Sequence, residues 1–122
     1  MTKRAARADR PPSSLTKALR VVDVAEAKRA ENVVVLDLRG QTLVTDYFVI
    51  CTGTSRVQSR AIADGISEAL ADQRSRGVRE GDAQGEWVLL DYGDVVVHVF
   101  SPAARAFYRL EKLWGDAPVV AR

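Results

Sequence analysis

A chain of 122 residues, 47% apolar and 28% charged, suits one soluble globular domain that buries about two-thirds of its surface on folding. No apolar run approaches the ~20 residues of a membrane-spanning helix, and a single cysteine with a single histidine excludes an internal disulfide and a Cys/His zinc site within the chain. The net charge of +2 is gathered at the start. Residues 1–14 carry Lys3, Arg4, Arg7 and Arg10 against Asp9, and the other 14 bases and 15 acids lack the excess of a broad nucleic-acid surface.

Residues 1–14 read as a disordered basic tail without the apolar stretch of a secretory signal. An Arg-rich transit peptide is the alternative reading, so the expected location is the cytoplasm or, on that alternative, an organelle. Ser13 or Ser14 then caps a first helix, in which Leu15, Ala18, Leu19, Val22 and Ala25 recur at helical spacing to about Ala30. "NVVVLDLRG" is a β-branched strand closed by Gly40, and "DYFVICTG" is a second strand paired with it across "GQTLVT". A second helix follows, with Val57, Ala61, Ile62, Ile66, Ala69 and Leu70 on its apolar face and Gly77 as its stop. Val78–Glu80 is a short edge strand, "EWVLLDYGDVVVHVF" a hairpin, and a last helix runs from Ser101-Pro102 to Trp114. The order αββα(β)ββα predicts an α/β fold, a mixed β-sheet with packed helices.

The loop "CTGTSR", Cys51–Arg56, has the residue types of a phosphate site. Its Cys-to-Arg spacing is one residue short for a cysteine phosphatase, and no lysine follows Gly53 as a P-loop requires. A nucleotidyltransferase would use Gly53 and Ser55 as the phosphate turn and a nearby Asp-x-Asp pair for magnesium. No such pair follows, and Asp91 and Asp94 lie on a different hairpin. Ser55 with Gln58 three residues later spells a capping box, so the loop reads as a connector.

In the hairpin, a two-residue loop Tyr92-Gly93 pairs Leu90 with Val95 and Trp87 with His98. Val88, Leu90, Val95, Val97 and Val99 then form an aliphatic core face. The opposite face carries Trp87, Leu89, Asp91, Asp94, Val96, His98 and Phe100. Two readings stand for it: a sheet covered on both sides, or an aromatic docking surface rimmed by polar groups. In the last helix Ala103, Phe107, Leu110 and Trp114 make the core face, with Tyr108, Arg105, Arg109 and Lys112 opposite. That outer side is either a recognition face or a solvated charge stripe.

Taken together, "VVLDLRG", "TDYFVICTGTSR", "AIAD", "GEWVLLDYGDVVVHVF" and "FYRLEKLW" resemble the ribosomal silencing factor family (RsfS, or Iojap) from about Leu15 to Trp114. The resemblance sets off a domain over residues 15–115, with residues 116–122 as a C-terminal tail. It implies a nucleotidyltransferase-like fold lacking the catalytic acids, and a translational repressor rather than an enzyme, with no cofactor and no metal. Family members bind the fourteenth protein of the large ribosomal subunit and block subunit joining sterically when nutrients are short. They form homodimers when free, and nothing in the resemblance implies a membrane or sequence-specific nucleic acid as partner. Carried over by motif position, the partner-binding residues are Trp87, Asp91, Tyr92, Tyr108 and Lys112. The alternative function is a nucleotide- or phosphate-handling transferase built on the Gly53–Ser55 turn.

Overall fold

The computed structural model describes residues 13–71, 77–81 and 83–120, so most of the basic tail and the stretch just before Gly77 lie outside the described residues. The elements are α1 (Ser14–Ala27), β1 (Glu31–Asp37), β2 (Tyr47–Thr52), α2 (Arg56–Ala69), β3 (Val78–Glu80), β4 (Trp87–Asp91), β5 (Val95–Phe100), α3 (Pro102–Tyr108) and α4 (Leu110–Leu113). The strands form one sheet in the order β1-β2-β5-β4-β3. β2 and β5 pair in parallel and the other neighbours are antiparallel, so the sheet is mixed as expected. Among the described residues no helix is long and apolar enough to cross a membrane.

Both sheet faces are covered. On one, α1 and α2 pack Val21, Val22, Ile62 and Ile66 against Val49, Val88, Leu90, Val97 and Val99. The aliphatic hairpin face is therefore core, as its alternation requires. On the other, Leu36, Leu38, Ile50 and Phe100 meet Ala104 and Ala117, with Leu110 and Trp114 packed at the edge. Beyond Gly115 the chain returns along β1: Asp37 N–H donates to Pro118 O, Val120 N–H donates to Val35 O, and Leu36 bridges to Val119. This segment covers the edge of β1 that would otherwise present unpaired backbone groups.

Both helix starts follow their sequence signals. Ser13 Oγ accepts from Thr16 N–H at 3.2 Å, and Ser55 Oγ accepts from Gln58 N–H at 3.0 Å. The first two helices depart from expectation in several places, and α2 ends at Ala69, with Leu70 as its cap, rather than at Gly77. α1 ends at Ala27 rather than Ala30, where the Lys28 amide closes the last turn onto Val24 and Ala25. Lys17 of α1, a residue type that usually stays in water, is buried at 7% exposure because its Nζ meets Asp94 Oδ1 at 2.8 Å. Val57, assigned to the apolar face of α2, is 79% exposed. It lies in the first turn, ahead of the stretch that reaches the sheet through Ile62 and Ile66.

Candidate functional site

The hairpin turn lies one residue further on than its sequence suggests, which shifts each cross-strand partner by two. Asp91 pairs with Val96, Leu89 with His98 and Trp87 with Phe100, so the loop is Gly93-Asp94. Gly93 sits at φ +85 while Asp94 does not take a positive φ, the pattern of a type II′ turn, and Asp91 Oδ1 accepts from Gly93 N–H at 2.8 Å. A two-residue slip leaves every side chain on its face, so the sorting survives the correction. Trp87 and His98 become diagonal neighbours and still bond: the indole Nε1–H donates to His98 Nδ1 at 3.1 Å.

The last helix departs further. Ser101 caps α3, its Oγ accepting from Ala104 N–H, and Pro102 follows as the first helical residue. The helix then breaks at Arg109, which takes a left-handed φ of 51, and only four more residues are helical. A wheel drawn through one continuous helix misplaces its faces. Ala104, not Ala103, is buried against the sheet, and Phe107, expected in the core, is 78% exposed. Arg105, expected outside, has a side chain only 14% exposed. Its guanidinium grips both Glu111 oxygens at 2.9 and 3.0 Å and reaches Thr52 Oγ1 and the Asn32 carbonyl. That fork ties α3 to α4 and to the β1–β2 edge.

A run of aromatic rings results across the outer sheet face. Phe48 meets His98 edge-on at 4.5 Å between centroids, Phe100 lies 5.0 Å from Trp87, Trp87 lies 4.6 Å from Tyr108, and Tyr108 meets Phe107 at 5.0 Å. Its inner end is buried, with Phe100 and His98 at 1% and 3% exposure, while Tyr108 is 47% exposed. The face is thus covered at its inner end and open to solvent at its outer end. Beside Trp87 and Tyr108 runs a groove of about 300 Å³, walled by Gly81, Ala83, Gln84 and Glu86. Gly81 is required there: φ is +90, and a Cβ would sit 1.9 Å from the Trp87 carbonyl oxygen.

The five expected site residues do not gather into one cluster. Trp87 and Tyr108 are in ring contact. Asp91 is at the far end of the same strand, on the same face, with one oxygen engaged by the turn. Lys112 is exposed and lines a second cleft on the β1 side of α3, with Glu31, Arg105, Arg109 and Glu111. Tyr92 is 4% exposed in the core under α1 and α2, where burial pushes its phenol pKa up against a hydrogen bond with Ser67. Phe107, expected in the core, joins the exposed end of the aromatic run because α3 turns Ala104 to the sheet, while the break at Arg109 lets Leu110 and Trp114 pack inward without it. The arginine itself carries no turn signal.

The loop after β2 is filled by its own bonds. Gly53 N–H donates to Phe100 O, Thr54 N–H donates to Gln58 Oε1 at 2.7 Å, and a Cβ at Gly53 would sit 2.3 Å from Ser59 Oγ. The Gln58 carboxamide thus reaches back to Thr54, one residue earlier than a capping box predicts. Arg56 donates through Nη2 to the Ala83 carbonyl. Cys51 is fully buried and its thiol is pushed up to about 12 by burial, the opposite of an activated thiolate. Asp94 pairs with Lys17, and among the described residues no three His, Cys, Asp or Glu side chains gather as a metal site.

Comparison with known proteins accords with this geometry. The model of the family "Ribosomal silencing factor during starvation" matches residues 11–122. The chain is 49% identical over 100 residues to ribosomal silencing factor RsfS of Halalkalibacterium halodurans, spanning 81% of this chain and 86% of that one. It is 52% identical over 94 residues to RsfS of Bacillus subtilis, spanning 75% and 79%. Chloroplastic protein Iojap of Arabidopsis thaliana is 37% identical over 113 residues, 92% of this chain and 47% of that one. A crystal structure of a Chromobacterium violaceum protein superposes with a TM-score of 0.81 at 33% identity, over 85% of this chain and 88% of the other. One from Bacillus halodurans gives 0.73 at 44% identity, over 84% and 93%. With a family model over nearly its whole length, close relatives and a shared fold, the chain belongs to the ribosomal silencing factor family.

Proposed function

We propose that this chain represses translation by docking on the fourteenth protein of the large ribosomal subunit and blocking the small subunit from joining. The observation that carries the reading is the half-exposed stack of Trp87, Tyr108 and Phe107 beside the groove at Gly81–Glu86. Aromatic side chains anchored from below and open to solvent above are what interface hot spots are built from. Asp91 and Lys112 stand away from this centre and serve as rim charges, which act on encounter rate more than on affinity. Tyr92 contributes from beneath by holding the hairpin turn.

The test is co-sedimentation of the full chain with isolated large subunits, run beside a subunit-joining assay. The chain is expected to travel with free large subunits and to lower the yield of joined ribosomes, and Trp87→Ala is expected to abolish both effects. Binding to large subunits that leaves joining untouched would overturn the blocking role. No association at all would overturn the docking reading. The transferase alternative is disfavoured, because the Gly53 and Thr54 amides and one oxygen each of Asp91 and Asp94 are already engaged within the fold.

A further inference from the structure

We infer that His98 is a positioning residue for the docking surface: its Nδ1 accepts the Trp87 indole proton and so fixes which way the central aromatic ring faces. The inference rests on the docking reading above and concerns a residue that no partner can touch.

The geometry starts from His98, which is 3% exposed in β5 with Phe48 edge-on at 4.5 Å and Phe100 stacked nearly parallel at an interplanar angle of 10°. Those rings and the sheet leave the imidazole little freedom. With Nδ1 accepting from Trp87 Nε1 at 3.1 Å, the proton of the neutral ring belongs on Nε2, which is buried without a hydrogen-bond partner among the described residues. The site thus keeps a histidine whose imidazole, among the described residues, hydrogen-bonds to Trp87 alone and leaves its second nitrogen unused. A residue needed merely for packing would be served better by an apolar ring, which carries no orphaned polar group.

Trp87, by contrast, is only partly buried, so its ring has a choice. An indole N–H is a donor that must find an acceptor. Held by His98, it points inward and the ring lies against Phe100 and Tyr108 along the groove. Without that acceptor the N–H gains most by turning toward water, which takes the ring off Tyr108 and opens the stack.

The test is a double-mutant cycle on the full chain with isolated large subunits as the probe. His98→Phe keeps a ring and removes the acceptor, and it is expected to weaken binding about tenfold. His98→Gln retains an acceptor and is expected to restore most of that loss. Trp87→Phe removes the donor, and adding His98→Phe to it is expected to cost nothing further. If the two losses multiply, or if His98→Phe lowers the melting temperature while folded protein binds normally, the positioning role is wrong. Indole hydrogen exchange in the wild type gives a reading that needs no variant to fold. The Trp87 N–H should be protected relative to solvent-exposed indole, and a freely exchanging Trp87 proton would overturn the proposal. Should the wild-type chain fail to bind large subunits, the docking reading falls, while the exchange measurement still decides whether His98 holds Trp87.

Discussion

Phe107 and Leu90 carry similar apolar bulk but predict opposite experiments. Leu90 is 1% exposed between β5 and the helices, so Leu90→Ala is expected to cost ~2–5 kcal/mol of stability by leaving a cavity. Phe107 is 78% exposed, so Phe107→Ala should cost less than about 0.5 kcal/mol of folding and act on binding instead. Thermal melts beside large-subunit binding separate the two, and an early melt for Phe107→Ala would remove it from the docking surface. Trp87→Ala and Tyr108→Ala are each expected to weaken binding by ~2 kcal/mol or more, whereas Lys112→Ala should mainly change the on-rate and its salt dependence. The same contrast governs Cys51, a reactive residue type placed where burial holds it protonated. A thiol reagent should label it only as fast as the chain opens.

At the scale of elements, the caps and the break in the last helix decide where the site residues sit. Ser55 satisfies the amide of Gln58 at the start of α2, so Ser55→Ala should destabilise the fold by about 1 kcal/mol and leave the affinity of folded protein unchanged. Chemical denaturation with a parallel binding curve checks both halves. The left-handed Arg109 is the hinge between α3 and α4, and only glycine takes that conformation without steric cost. Arg109→Gly is therefore expected to hold or raise the melting temperature, relieving about 1 kcal/mol. A lowered melt would mean that the Arg109 side chain, whose Nε donates to the Ala106 carbonyl, matters more than its backbone.

For the whole molecule the one histidine sets a pH window. Burial lowers the His98 pKa to about 4, with the Asp91 charge opposing it weakly, while the unfolded value is the ordinary 6.5. Between these pH values the unfolded chain binds the extra proton and the folded chain does not. Stability is therefore whole above pH 6.5 and is lost as pH falls toward 4, by an amount on the order of 3 kcal/mol. Carboxylates such as Asp37, whose pKa the Arg39 hydrogen bond lowers, act only below that window. Urea midpoints measured from pH 7 to 4.5 should fall for the wild type and stay nearly level for His98→Gln. A wild-type midpoint that does not move would show that His98 charges freely in the fold.

The features legible in the sequence were those that a few neighbouring residues settle among themselves. Alternation sorted Val88, Leu90, Val95, Val97 and Val99 to the core, Ser13, Ser55 and Ser101 announced their helices, and the failed Cys-to-Arg spacing marked the loop at Gly53 as a connector. Even the hairpin register was within reach, since Gly-Asp fits a II′ loop better than Tyr-Gly does. Tertiary structure alone decided which outward-looking groups stay outside. Lys17 is buried because Asp94, far along the chain, supplies its charge partner, and Tyr92 is buried because α1 and α2 cover the turn. Phe107 stays exposed while Leu110 and Trp114 pack inward because the left-handed Arg109 separates their faces, with Arg105 clamping Glu111 across the break. Helical periodicity assumes that every residue continues the same helix. One positive φ rotates all that follows, and long-range packing, not local spacing, determines where such a residue is tolerated.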